Sequence, residues 1–129
     1  MSGKGISRGA LRYFAPSESA VQRALLDWFA WVLPDAVVFA VPNGGKRDKV
    51  TAAKMKREGI LPGAPDLIVV WRGMVLFIEV KTQIGRLSVA QKVFRDAIEA
   101  QGLHYIVVRD TDELNVALRD RGVQTKIAA

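Results

Sequence analysis

The sequence predicts an α/β domain with a mixed central β-sheet flanked by helices. Two observations support this prediction. Segments with helical periodicity alternate with short apolar runs, in the order α-β-α-β-β-α-β-α, along a chain of 129 residues. Two of the apolar runs, DLIVVW and MVLFIEVK, are hydrophobic on both faces, as in central strands that are covered on each side. Residues 1–15 are expected to form a flexible basic arm, and residues 16–129 a single domain.

The first two elements are a helix and a short strand. Pro16 and Ser17 are typical of a helix start, apolar residues then recur at the spacing of a buried stripe, and Pro34 ends the pattern. The β-branched run from Val37 to Val41 stops at Pro42 and therefore predicts a strand.

The middle segment combines glycine with positive charge. Residues 43–45 predict a loop, and a basic helix is predicted from about Asp48 to Glu58, ending at Gly59. Six basic residues crowd this stretch: Lys46, Arg47, Lys49, Lys54, Lys56 and Arg57. The formal net charge of the chain is +6, with 19 Lys and Arg against 13 Asp and Glu. The stretch therefore indicates either a polyanionic partner or a solvated helix face.

The second half of the chain contains a predicted β-hairpin, two helices and another strand. Arg72 and Gly73 form a two-residue turn between the runs DLIVVW and MVLFIEVK. A helix is predicted from Ser88 to Gly102, a strand over HYIVVR, and a last amphipathic helix from Thr111 to Arg121.

Composition limits the chemistry that this chain can perform. It has no cysteine and one histidine, His104, which we expect to serve packing or the surface. Disulfides, thiolate zinc sites, cysteine nucleophiles and sites built on several imidazoles are thereby excluded. Metal chemistry must use oxygen ligands, which favours Mg²⁺ or Mn²⁺. No apolar run is long enough to span a membrane and no signal peptide is recognisable, so we expect a cytoplasmic protein without a membrane partner.

The predicted hairpin brings two carboxylates together. A two-residue turn pairs Trp71 with Met74. Following that register outward places Asp66 opposite Glu79, with Cβ atoms about 5 Å apart. Lys81 lies two residues beyond Glu79 and hence on the same face of the strand. Opposed like charges destabilise a sheet unless something positive lies between them, so the pattern indicates a metal site or, alternatively, a purely structural ion triplet.

These motifs resemble the PD-(D/E)xK nuclease signature, and in particular its VRR-NUC branch. The matching segments are ESAVQ at 18–22, PNGGKR at 42–47, the lysine-rich helix ending in Gly59, GAPDLIV at 63–69, IEVKT at 78–82 and LSVAQ at 87–91. The resemblance extends over about residues 17–109. It implies a restriction-endonuclease-like core, αβββαβ with an inserted helix, that hydrolyses phosphodiester bonds in DNA with Mg²⁺ or Mn²⁺.

The resemblance also implies roles for individual residues in the site. Asp66, Glu79 and the backbone carbonyl of Val80 would bind the metal ion, and Lys81 would be the catalytic lysine. Lys81 would orient or deprotonate the attacking water, or neutralise the charge that builds up in the transition state.

Two further residues are implied at the site, and each has a simpler alternative. Glu18 would reach the metal from the first helix, directly or through water, but a carboxylate in a first helical turn also faces the helix dipole favourably. Gln91 would lean toward the metal or the scissile phosphate, but Ser88 and Gln91 also have the spacing of a capping box.

By the same resemblance, the glycine-rich loop and basic helix would grip the sugar-phosphate backbone. The predicted nucleic-acid-binding residues are Asn43, Gly44, Gly45, Lys46, Arg47, Lys49 and Lys54. Contacts of this kind position DNA without reading its sequence, which suits an enzyme selective for branched DNA such as four-way junctions. Stand-alone members of this size resemble phage or bacterial proteins acting in replication, repair or recombination.

The resemblance implies a homodimer. Aromatic residues of the first helix could form part of the dimer interface, or they could pack in the core. These residues are Trp28, Phe29 and Trp31. Two other functions stay open: a nucleic-acid-binding accessory module with the nuclease fold but little catalysis, and an RNA-processing or host-defence nuclease. No short motif distinguishes DNA from RNA here.

Overall fold

The computed structural model describes residues 16–42 and 49–125, and within them the predicted order of elements is confirmed. The helices are α1 (Glu18–Val32), α2 (Lys49–Arg57), α3 (Val89–Ala100) and α4 (Thr111–Asp120). The strands are β1 (Val37–Ala40), β2 (Leu67–Trp71), β3 (Met74–Val80) and β4 (His104–Val108). The arm predicted over 1–15 lies outside the described residues.

The strands form one mixed sheet in the order β1-β2-β3-β4. β1 is antiparallel to β2, and β2 is antiparallel to β3. β3 leads through α3 to its neighbour β4, a crossover of the kind that joins parallel strands. The two strands of the predicted hairpin are therefore central, as expected, and they bring the residues of the candidate site to the end of the sheet opposite the turn.

One expectation about the central strands is wrong. On one face, Leu67, Val69, Leu76 and Ile78 are fully buried. On the other face, close to the turn, Val70 is 38% exposed, so this part of the sheet is not covered on both sides. An apolar strand sequence shows that a face can be buried, but only the position of the neighbouring elements decides whether it is.

The turn of the hairpin has the predicted length and fixes the predicted register. The Arg72–Gly73 turn has φ values of 44° and 81°, the left-handed pair that a two-residue hairpin of this type requires. Pairing runs from Trp71 with Met74 to Leu67 with Ile78, without an inserted residue. The predicted Asp66–Glu79 pair lies one residue beyond the last pair of this ladder.

The chain forms two compact units. Within the described residues, the first unit contains 16–36, 80–86 and 107–125, and the second unit contains 37–42, 49–79 and 87–106. In the first unit α1 packs against α4. Its buried apolar residues are Val21, Leu25, Trp28, Phe29, Leu33, Val80, Val108, Leu114, Leu118 and Val123. Trp28 and Phe29 thus belong to the core, whereas Trp31 is 85% exposed.

None of the helices in the described part of the chain is long and apolar enough to cross a membrane.

Candidate active site

Glu79 is a buried carboxylate near the end of β3, in the second unit. Only 4% of its surface is exposed. The side-chain amide of Gln91 donates to Glu79 Oε1 over 2.7 Å, and the hydroxyl of Tyr105 donates to Glu79 Oε2 over 3.3 Å. Both donors replace hydrogen bonds that water would otherwise make to the carboxylate.

Gln91 forms the expected capping box and also contacts Glu79, while its approach to a metal ion or a phosphate stays a prediction. It closes a capping box at the start of α3. Its side-chain Oε1 accepts from the Ser88 backbone amide over 2.8 Å, and its backbone amide donates to Ser88 Oγ over 3.1 Å. The capping interaction uses the side-chain oxygen and leaves the NH₂ group free to donate elsewhere. That NH₂ group is the one that donates to Glu79. The helix cap thus aims the donor at the carboxylate.

Tyr105 on β4 is the site residue that sequence reasoning missed. Its hydroxyl lies 3.3 Å from Glu79 Oε2 and 3.4 Å from the Gly63 carbonyl, and its ring packs beside Phe94 with the centroids 6.0 Å apart. Burial raises the pKa of the Tyr105 hydroxyl, and the charge of Glu79, the hydrogen bond to it and the charge of Asp66 raise it further. Both carboxylates therefore act on one hydroxyl.

Asp66 lies one residue before β2 and is half-buried. Its amide donates to the Ile78 carbonyl of β3 over 3.0 Å, and its carbonyl accepts from the amide of Val41, just after β1, over 2.8 Å. The regular β2–β3 ladder ends at Leu67, one residue short of the predicted Asp66–Glu79 pair. Backbone hydrogen bonds to segments on both sides nevertheless fix the position of Asp66.

Gly63 brings the loop before Asp66 close to the start of α3. It has a positive φ of 80°. A Cβ atom at this position would lie 2.7 Å from the Gln91 amide nitrogen and would collide with the carbonyl of Ala90. Only glycine allows this approach, so the predicted GAPD motif packs its backbone against the helix that carries Gln91.

Lys81 and Val80 belong to the first unit, and both are buried. The Lys81 amide donates to the Val108 carbonyl over 3.1 Å. The stem of the lysine runs beside Gly85, where a Cβ would lie 3.3 Å from Lys81 Cδ. The Arg109 guanidinium donates to the Gly85 carbonyl over 2.9 Å and so holds the loop that follows Lys81.

Glu18 occupies the first turn of α1 and is exposed. The helix begins at Ser17, whose Oγ accepts from the Ala20 amide over 3.1 Å. A carboxylate in this position faces the positive end of the helix dipole, as the simpler alternative expects. Its part in metal binding stays a prediction. His104 is exposed at the start of β4.

The described part of the basic segment is a solvated helix. Lys54 is exposed and forms an ion pair with Glu58, at 4.0 Å, one turn further along the chain. Lys49 is the first residue of α2. The predicted phosphate-binding residues from Asn43 to Arg47 lie outside the described residues.

Comparison with known protein families gives a match over most of the chain. The family model of the VRR-NUC domain matches residues 17–111, most of the chain. The chain belongs to the VRR-NUC family. VRR-NUC domains are generally nuclease domains, which agrees with the resemblance seen in the sequence.

Solved structures show that this VRR-NUC chain also has the fold of the family. A structure described as a VRR_NUC domain protein has a TM-score of 0.65 at 24% identity, covering 81% of this chain and 87% of its own. A second structure, described as a VRR_NUC domain, has a TM-score of 0.57 at 21% identity, covering 82% of this chain and 97% of its own. No curated protein matches the chain.

The side chains of the second unit fit the hard divalent ion that such a nuclease implies. Asp66 and Glu79 supply carboxylate oxygens, which Mg²⁺ and Mn²⁺ prefer, and both act on the Tyr105 hydroxyl. Across residues 16–42 and 49–125, no group of three or more histidine and carboxylate side chains is placed to hold one ion. Two carboxylates suffice for Mg²⁺, which usually keeps waters and substrate phosphate as its other ligands.

Proposed function

We propose that this chain is a metal-dependent DNA endonuclease, selective for branched structures such as four-way junctions, that acts in replication, repair or recombination. The observation that supports the proposal best is the environment of Glu79. Glu79 is 4% exposed, and the Gln91 side-chain amide and the Tyr105 hydroxyl orient its two carboxylate oxygens near the end of β3. A carboxylate that is buried and oriented in this way is suited to bind a divalent cation.

Each site residue has a defined role in this proposal. Asp66 and Glu79 hold Mg²⁺ or Mn²⁺ together with the carbonyl of Val80, and Glu18 contributes directly or through water. The bound ion supplies a Lewis acid and a water of lowered pKa. Gln91 keeps the Glu79 carboxylate oriented through the hydrogen bond described above.

Lys81 completes the chemistry of hydrolysis. Its ammonium group orients the attacking water or neutralises the negative charge that develops on the phosphate. Water attacks in line with the leaving oxygen, and no covalent enzyme intermediate forms. The sequence spacing supports this role, because Lys81 follows Glu79 by two residues. Its burial supports it as well, since a lysine kept from solvent is an unusual choice for solubility alone.

Binding of the substrate relies on charge rather than on base recognition. The formal net charge of +6 and the exposed basic side chains of α2 favour contacts to phosphates. These exposed residues are Lys54, Lys56 and Arg57. A homodimer with one site in each chain suits paired cuts in a branched substrate, because its two sites are related by twofold symmetry.

The test is cleavage of labelled linear, flapped and four-way-junction DNA, with RNA of the same sequence, in Mg²⁺, Mn²⁺ or EDTA. We expect metal-dependent cutting of branched DNA that falls on the order of 10²-fold or more in Asp66→Asn and in Lys81→Ala, with DNA binding retained. The exposed residues Asp120 and Lys92 provide matched controls, Asp120→Asn and Lys92→Ala, which should cut as the wild type does.

Three other outcomes would contradict the proposal, and two of them would identify a different function. A wild-type protein that binds DNA but never cuts it would be an accessory module with the nuclease fold. Cutting confined to RNA would indicate an RNA-processing or host-defence nuclease. If Asp66→Asn and Lys81→Ala cut as well as their controls, the proposed active site is wrong.

A further inference from the structure

The hydroxyl of Tyr105 lies between the two segments that carry the carboxylates of the site. One acceptor is Glu79 Oε2 on β3, at 3.3 Å, and the other is the Gly63 carbonyl, at 3.4 Å, in the loop that leads to Asp66. A tyrosine has one hydroxyl proton, so these two acceptors share it. The hydroxyl therefore links the position of the Glu79 carboxylate to that of the loop.

The rest of the tyrosine is held in place by packing. Its ring packs beside Phe94 of α3, and Phe94 in turn meets Phe77 of β3 with the ring centroids 6.4 Å apart. The opposite side of the loop is also confined, because Gly63 lies against the backbone at the start of α3. The Tyr105 hydroxyl thus has little freedom to leave its two acceptors.

Tyr105 and Gln91 each donate a hydrogen bond to a different oxygen of the Glu79 carboxylate. Gln91 holds Oε1 and Tyr105 holds Oε2, from two different elements of the second unit. A carboxylate oxygen has two lone pairs, so one oxygen can accept a hydrogen bond and also bind a metal ion. Partners of this kind fix the rotamer of a ligating carboxylate and raise the affinity of the site.

We propose that Tyr105 is a positioning residue, whose hydroxyl holds the Glu79 carboxylate and the loop before Asp66 in the arrangement that binds the divalent ion. The inference rests on the proposed metal-dependent function and extends it to a residue outside the nuclease motifs. Tyr105 touches neither substrate nor metal in this role. It acts through Glu79, so its loss should weaken metal binding before it affects the binding of DNA.

The test compares the wild type with Tyr105→Phe, which removes the hydroxyl and keeps the ring that packs on Phe94. Mn²⁺ binding is measured directly from the electron paramagnetic resonance signal of the free ion, without DNA. We expect the Kd for Mn²⁺ to rise on the order of tenfold. In cleavage assays the Mn²⁺ concentration for half-maximal rate should rise in parallel, while the KM for DNA stays constant.

A matched control removes a hydroxyl that serves another hydrogen bond. Thr125 donates to Asn115 Oδ1 in the first unit, so Thr125→Val loses a side-chain hydrogen bond without removing the Tyr105 hydroxyl. Thermal unfolding in EDTA measures the stability of all three proteins. We expect Thr125→Val to bind Mn²⁺ as the wild type does, and Tyr105→Phe to bind it less tightly even at temperatures where both variants are fully folded.

The outcomes separate this inference from the proposed function. If Tyr105→Phe binds Mn²⁺ as tightly as the wild type, or loses affinity only as its folded fraction falls, the positioning role is wrong. The cleavage assay then decides the nuclease activity separately. If the wild type binds Mn²⁺ but cuts no nucleic acid, the proposed function fails and the Mn²⁺ affinities still decide the role of Tyr105. A wild type that binds no Mn²⁺ overturns both.

Discussion

The starts of α1 and α3 follow the same local rules but have different consequences. Both helices begin at a serine in an extended conformation, Ser17 and Ser88, whose Oγ accepts from the amide three residues later over 3.1 Å. In α1 that third residue is Ala20, and the cap involves no further side chain there. In α3 it is Gln91, which completes the capping box and also donates to Glu79.

The difference shows how a local signal can become part of a candidate active site. A capping box is a recognised device for satisfying the free amides of a helix start. In α3 it also fixes which end of the Gln91 amide faces outward, and that end meets a buried carboxylate. The stability of the cap and the orientation of Glu79 are therefore coupled at α3, whereas the cap of α1 stabilises its own helix.

Among the proposed variants of the two helix starts, Gln91→Glu should have the largest effect on stability and cleavage, because it breaks the coupling between the cap and Glu79. Glutamate at this position still caps the helix, because Ser-x-x-Glu is also a capping box. Its second oxygen would replace an NH₂ donor and face the Glu79 carboxylate. We expect a loss of about 1–3 kcal/mol in the free energy of unfolding at neutral pH and a fall in cleavage on the order of 10²-fold. Chemical denaturation and single-turnover cleavage measure the two effects.

The pH dependence of this variant gives an independent check. Repulsion between the two carboxylates raises their pKa values in the folded protein above those in the unfolded chain. A raised folded pKa favours the protonated form, so the stability deficit should be present at neutral pH and should shrink as the pH falls. The exposed residue Gln124 supplies a matched control, Gln124→Glu, which should show neither effect. A deficit that does not change with pH would contradict a contact between the two carboxylates.

An intermediate effect is expected from the two capping serines. Ser17→Ala and Ser88→Ala each remove one side-chain acceptor at a helix start and should each lower the free energy of unfolding by about 1 kcal/mol. Their effects on cleavage should differ. Ser17→Ala should change the rate less than Ser88→Ala, which should slow it several-fold because Gln91 loses part of the cap that orients its amide. Equal rates in the two variants would show that the cap of α3 does not position Gln91.

The fold could be predicted from short-range signals along the chain. Ser17 and Pro34 bound α1, and Ser88 marks the start of α3. The Arg72–Gly73 turn determines the register of the hairpin as far as Leu67. These signals act between neighbours in sequence, so the sequence displays them. The partial exposure of Val70 could not be predicted in this way, because it depends on which distant element covers that face.

The candidate site shows the same limit. The turn predicts the pairing as far as Leu67 with Ile78, and the capping pattern predicts the position of Gln91, although the sequence could not show that Gln91 also contacts Glu79. Tyr105 carries no motif. The only available signal was a tyrosine among apolar residues of a predicted strand, since a buried tyrosine hydroxyl needs a hydrogen-bond partner. Its partner could be identified only once β4 was known to lie beside β3.

The smallest effect on stability is expected from a substitution of Glu18, and its effect on Mn²⁺ affinity distinguishes two roles for this residue. If the carboxylate only faces the dipole of α1, Glu18→Gln should cost about 0.3–1 kcal/mol in the free energy of unfolding and leave both Mn²⁺ affinity and cleavage unchanged. The proposed contribution to the metal site requires instead a loss of Mn²⁺ affinity on the order of tenfold, with the same small cost in stability. Asp112 in the first turn of α4 offers the matched control, because Asp112→Gln changes a carboxylate in the same kind of position. Reduced Mn²⁺ binding in Glu18→Gln but not in Asp112→Gln would establish that the start of α1, like that of α3, serves the active site as well as its own helix.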